Sequence, residues 1–196
     1  MNYLAHIALS GDNPEHRVGG FLGDFIRGPL QGVFPDAIEA GIAAHRKLDA
    51  HVDQQPELID FLSRFEAPLR RYAGIVADLV YDHILASQWS TYYQQPFEEF
   101  CQQFYRQLGS HHQLLPPGAQ RFLHVAPQVG WLESYRDESN LPLILERVGS
   151  RFKKPVALQD ALPVFAEHKE GIEQEFHQLY PRLQQFVNEL LPHSTP

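Results

Sequence analysis

Apolar residues return every three or four positions along almost the whole chain, while strict alternation is short and scarce. That spacing lines them up on one face of a helix, so the pattern predicts an all-α protein. A short first helix is expected over Tyr3–Leu9, with Asn2 as its N-cap. A polar turn through Gly11, Asp12, Asn13 and Pro14 leads to a short helical segment at 19–26, which carries Asp24 and closes near Gly28 and Pro29. Pro35, followed by Asp36 and Glu39, marks the start of a longer helix running to about residue 54. Helix resumes over 57–65, with a boundary or kink at Pro68.

The stretch 69–88 is apolar on several sides, through Ile75, Val76, Leu79, Val80, Ile84 and Leu85, and predicts a central helix. Phe97, Phe100, Phe104 and Leu108 form the face of the next one. Pro116, Pro117, Gly118 and Pro127 interrupt the pattern, predicting short helices and turns between residues 114 and 130. Another short helix is expected over 141–148. Phe165, Ile172, Phe176, Leu179, Leu183, Phe186 and Leu190 trace a final stripe that Pro181 is expected to divide or bend. Residues 193–196 read as a frayed tail. No repeat or linker interrupts the 196 residues, so the expectation is one domain, a single multi-helix bundle.

Charge and composition narrow the function classes. Sixteen Lys and Arg against 24 Asp and Glu leave a net charge of -8, which disfavours a nucleic-acid binder. Cys101 stands alone, so neither a disulfide framework nor a thiolate metal cluster is expected. The N-terminal residues lack a basic stretch before their apolar run, and no apolar segment is long enough to span a bilayer. The expectation is a cytoplasmic protein with no membrane insertion.

The histidines and aspartates change the picture most. In HRKLDAHVD (45–53), His45, Asp49 and Asp53 follow one another at intervals of four and share a helix face. They can present an imidazole and one or two carboxylates to a common ion, or serve as a surface pair with Asp53 as ordinary surface charge. In DLVYDH (78–83), Asp78, Asp82 and His83 interrupt the apolar central helix. A buried carboxylate needs a partner, and a metal or an interhelical histidine supplies one; Asp78 also suits an interhelical salt bridge. His6 and Asp24 can complete a convergent site, although a lone His6 also reads as a core histidine. Imidazole and carboxylate donors without thiolates suit manganese, magnesium, iron or zinc, and such a site hydrolyses phosphate esters. Arg27, Arg46 and Lys47 lie near these residues in sequence and can meet a substrate phosphate, or remain plain surface charge.

NYLAH (2–6), GGFLGDFIRG (19–28), HRKLDAHVD, DLVYDH with Trp89, and WLESYRD (131–137) together resemble the acyl carrier protein phosphodiesterase family, in order and over nearly the whole chain. The resemblance implies a fold related to the HD-type phosphohydrolases. It also implies a manganese (Mn2+) dependent reaction, with magnesium or iron as alternatives. The substrate would be holo-acyl carrier protein, with the bond between 4′-phosphopantetheine and serine cleaved to give apo-acyl carrier protein and 4′-phosphopantetheine. Carried onto this chain, it places His6, Asp24, Asp82 and His83 around the metal. His45 and Asp49 become acid–base groups or alternate ligands, Asp53 joins them as a catalytic group, Asp78 supports the ligands, and Arg27, Arg46 and Lys47 bind substrate. The usual adjacent His-Asp order is reversed here as Asp82-His83. Two other readings compete: an HD-type hydrolase of a nucleotide or other small phosphoester, and a non-catalytic helical interaction module.

Overall fold

Residues 1–191 are described by a computed structural model; the tail expected at 193–196 lies outside the described residues. Nine α-helices are joined by turns and short 3-10 segments, and no strand occurs among the described residues. The helices are α1 (Tyr3–Leu9), α2 (Pro14–Leu22), α3 (Asp36–Val52), α4 (Pro56–Ser63), α5 (Ala73–Ser87), α6 (Phe97–Ser110), α7 (Pro117–Val129), α8 (Leu141–Gly149) and α9 (Leu162–Leu190). None of the described helices is long and apolar enough to cross a membrane.

The central helix is the one the pattern singled out. α5 buries Val76, Leu79, Val80, Tyr81, Ile84 and Leu85, and it packs against α1, α4, α8 and α9. Burying one such aliphatic side chain is worth roughly 1.5–3 kcal/mol, so a helix apolar on several sides is driven to the middle. An aromatic cluster of Phe21, Phe104 and Phe122 joins α2, α6 and α7. Arg182 of α9 reaches both carboxylate oxygens of the buried Glu57 at 2.8 Å, clamping α4 to α9.

Several boundaries differ from the sequence expectation. α2 begins five residues before position 19 because Asn13 accepts from the amides of Glu15 and His16 and Pro14 fits the first turn. It ends at Leu22, so Asp24 lies in the turn after the helix. The segment from 117 to 129 is one helix rather than several pieces. Pro117 opens it, Pro127 lies in the last turn where it forfeits a single bond, and Gly130 closes it at φ +58°. α9 likewise runs undivided through Pro181, held by Phe176, Leu179, Tyr180 and Leu183 in the core on either side of it. The expected long helix from 69 instead starts as a 3-10 turn, Leu69–Tyr72, before α5.

Candidate metal centre

α1 carries His6, and α3 carries His45 and Asp49; one ligand atom from each lies within 4.8 Å of the others. The approach of these helices depends on glycine. α2 crosses α3 backbone to backbone: a Cβ on Gly19 would stand 2.2 Å from the Ile38 carbonyl oxygen, and one on Gly41 would stand 2.4 Å from that of His16. The same crossing brings the Gly20 carbonyl to 2.7 Å from His45 Nδ1. It also lays Gly23 on the His45 ring, where a Cβ would meet Cγ at 2.1 Å.

His45 Nδ1–H donates to Gly20, which leaves a lone pair on Nε2. That nitrogen faces Asp49 Oδ2 at 3.2 Å. Two acceptors confront each other there unless a proton or a metal cation lies between them. His6 Nε2 lies 3.1 Å from Asp49 Oδ1 and 3.1 Å from the Met1 carbonyl, while its Nδ1 is buried without a hydrogen-bond partner. The two imidazoles stack with centroids 3.7 Å apart. Two nitrogens and a shared carboxylate converging in this way fit a divalent metal of the class the sequence suggested.

Electrostatics agree with a neutral His6 beside an ionised Asp49. Burial pulls the His6 pKa down to about 3, with His45 and the N-terminal ammonium pushing the same way and Asp49 opposing. Burial would raise Asp49, but the two imidazoles that face its oxygens and the N-terminal ammonium outweigh that and hold it well below the usual carboxylate range. The Met1 ammonium lies 2.9 Å from Asp78 and 3.8 Å from Asp49. Burial disfavours its charge, yet these carboxylates raise its pKa to about 10.

The other sequence candidates take distinct places. Asp24 is solvent-exposed in the turn after α2, within electrostatic reach of His45, Asp49 and Asp78. Crowding by surrounding protein raises its pKa, with the two acidic neighbours adding to the effect and His45 opposing it. Asp78 pairs with the Met1 ammonium rather than with another helix's side chain. Asp82 is not among the converging ligand atoms. It is fully buried, and its two oxygens accept the amides of Leu4 and Ala5 at 2.9 and 3.0 Å. It thereby caps α1 across the fold, the role expected of Asn2, whose amide instead donates to the Tyr135 hydroxyl at 2.6 Å.

His83 is buried and donates from Nδ1 to the Tyr135 carbonyl at 2.8 Å, away from the cluster of ligand atoms. Asp53 ends α3, exposed and outside that cluster. Arg46 donates to the carbonyls of Ile26 and Gly28, each at 2.8 Å, and so fastens the loop that carries Asp24 and Arg27. Arg27 and Lys47 are exposed. Spacing alone missed the Met1 groups, the Gly20 carbonyl and Gly23. The glycines of GGFLG were the available signal, because such a run permits close backbone approach.

The profile of the Acyl carrier protein phosphodiesterase family matches residues 1–183. The chain belongs to this family. It is 33% identical over 187 residues to the "Acyl carrier protein phosphodiesterase" of Escherichia coli strain CFT073, covering 93% of this chain and 95% of the relative. The protein of that name from Enterobacter sp. strain 638 is 30% identical over the same shares. No solved structure matches the chain. Family membership and the His6–His45–Asp49 cluster together support a metal-dependent hydrolase.

Proposed function

We propose that this protein hydrolyses the phosphodiester joining 4′-phosphopantetheine to the serine of holo-acyl carrier protein, releasing apo-acyl carrier protein and 4′-phosphopantetheine. The observation that carries the reading is the convergence of His6, His45 and Asp49, all three within the motifs that resemble the family. In this reading the three hold the metal, manganese by proposal with magnesium or iron as alternatives. When bound, such an ion offsets phosphate charge and acidifies a coordinated water.

The protein's own groups divide the remaining work. His45 is oriented by the Gly20 carbonyl, so its Nε2 is presented with a lone pair. Asp24, open to solvent and raised in pKa, is assigned to accept the proton of the attacking water. This exchanges the roles carried over from the sequence: His45 and Asp49 become ligands, and Asp82 and His83 hold the scaffold. Asp78 steadies the N-terminal end of α1 through the Met1 ammonium. Asp53 receives no part in the chemistry. Arg27 and Lys47 are assigned to contacts with the acidic carrier protein, and Arg46 to holding their loop. A relationship to the HD-type fold and a cytoplasmic site of action belong to the same proposal.

The test is mass analysis of holo-acyl carrier protein incubated with the purified protein, with manganese and with chelator. Loss of the arm only in the presence of metal is expected. An unchanged holo form with the folded, metal-supplied protein would sink the assignment. Turnover of a small phosphoester in its place would favour the other HD-type reading.

A further inference from the structure

A cavity outside the site residues assigned from sequence is built partly on α1, the helix that carries His6. Tyr3, Phe25, Phe122 and Trp131 wall this cavity of about 430 Å³, with Arg121 and Arg151 on its lining. That volume falls in the range of about 300–1,000 Å³ typical of small-molecule sites. Its construction draws on five parts of the fold: α1, the turn after α2, α7, the turn that follows α7, and the segment following α8. Tyr3 stacks on Phe25 at 5.9 Å and meets Phe122 edge-on at 5.4 Å, so the wall is ordered by ring packing. Arg151 lies over the Trp131 ring at 5.9 Å.

The cavity and the metal centre share a border. Tyr3 lies one turn before His6 on α1, and Phe25 follows Asp24. The Tyr3 hydroxyl feels the charges of both Asp24 and Arg151, while Asp24 feels those of His45 and Asp49. Asp24 is therefore within electrostatic reach of both Tyr3 in the cavity wall and the His45–Asp49 pair. Among the described residues, neither Arg121 nor Arg151 has a carboxylate within ion-pair distance, whereas Arg17, Arg64, Arg136 and Arg182 each have one. Two guanidiniums without counter-ions, facing an aromatic cleft in a protein of net charge -8, call for an anionic ligand with a slender, partly apolar body.

We propose that this cavity binds the phosphorylated, amide-linked arm of the substrate, a reading that rests on the function proposed above. Arg151 and the Tyr3 hydroxyl, on the side towards Asp24, take the phosphate. Arg121 donates to the acceptor oxygens of the arm. The rings of Phe25, Phe122 and Trp131 enclose its hydrocarbon portion. The acyl carrier protein, joined to the arm through that phosphate, then rests on the Asp24 side of the cavity near Arg27, and the scissile phosphate meets the metal centre at the Asp24 border.

Trp131 provides a readout independent of turnover, since Trp89 is buried elsewhere against Phe97 and Phe100. The chelator-treated full chain is titrated with pantetheine 4′-phosphate and, separately, with pantetheine, following tryptophan fluorescence and heat of binding. Saturable binding is expected for both, tighter for the phosphorylated compound. Arg151→Gln should abolish that phosphate advantage, a loss of about tenfold or more. Arg121→Gln should weaken both compounds, and Trp131→Phe should remove the optical change while binding heat persists. Both arginines are exposed, so folding is not at stake. No binding by the wild type, or an undiminished phosphate advantage in Arg151→Gln, overturns the cavity assignment even if holo-acyl carrier protein is converted. Binding as expected, with no conversion of holo-acyl carrier protein, supports the cavity and removes the proposed reaction.

Discussion

His6 stacks on His45 at 3.7 Å, and each ring turns its Nε2 to a different oxygen of Asp49. One carboxylate thus serves two imidazoles on different helices. Its orientation is set by both at once.

Removing that carboxylate should disable the centre without unfolding the protein, because Asp49 is only half-buried. Asp49→Asn is expected to weaken manganese binding by about 100-fold or more, beyond the 10–100-fold typical of residues that merely orient ligands. Calorimetric metal titration measures it, with thermal unfolding as control. Near-wild-type metal affinity would remove Asp49 from the site.

Asp82 should behave as a cap. Asp82→Ala leaves the Leu4 and Ala5 amides unpartnered in the core, at roughly 1–3 kcal/mol each, read by urea unfolding. Asp82→Asn, which retains an acceptor, should keep most of its metal affinity. A metal-binding defect in the Asn variant as deep as that of Asp49→Asn would return Asp82 to the ligand set.

The same residue makes a pH prediction. Burial lifts Asp82 from 3.8 to about 7, against the opposing bonds from Leu4 and Ala5. The native state therefore keeps this proton where the unfolded chain has lost it. Asp82 contributes most to stability below about pH 4, and the contribution falls as pH rises towards 7. The stability difference between wild type and Asp82→Asn should shrink over that interval and level off above it. Denaturant unfolding at a series of pH values checks this, and a difference that grows with pH contradicts the sign.

Gly23→Ala tests the close approach. Gly23 has right-handed helical φ and ψ, so alanine strains no backbone, but its Cβ would overlap the His45 ring. Metal affinity and turnover should fall more than about tenfold, while the melting temperature moves by only a few degrees. Full activity in this variant would mean that His45 is free to shift.

Arg46→Ala frees the carbonyls of Ile26 and Gly28. Amide exchange should quicken in the loop at 23–35, with a drop in kcat/KM for carrier protein and little loss of global stability. Unchanged exchange there would show that other contacts hold the loop.

Much of this was legible in the chain. Three- and four-residue spacing was enough for the helices and for the central place of α5, because burial of a periodic apolar face is a local rule. The interval between His45 and Asp49 was enough to put both on one face of α3. Proline was the weak signal: Pro127 and Pro181 lie inside helices that packing and position sustain. What spacing could not decide was which polar groups meet. Asp82 and His83 look like ligands because they interrupt apolar sequence, yet the amides that Asp82 caps and the carbonyl that His83 meets come from distant parts of the chain. The convergence of His6, His45 and Asp49 rests on the glycine crossing of α2 and α3 and the capping of α1 by α5. Ligand convergence depends on distances between helices, and only the packed structure sets those.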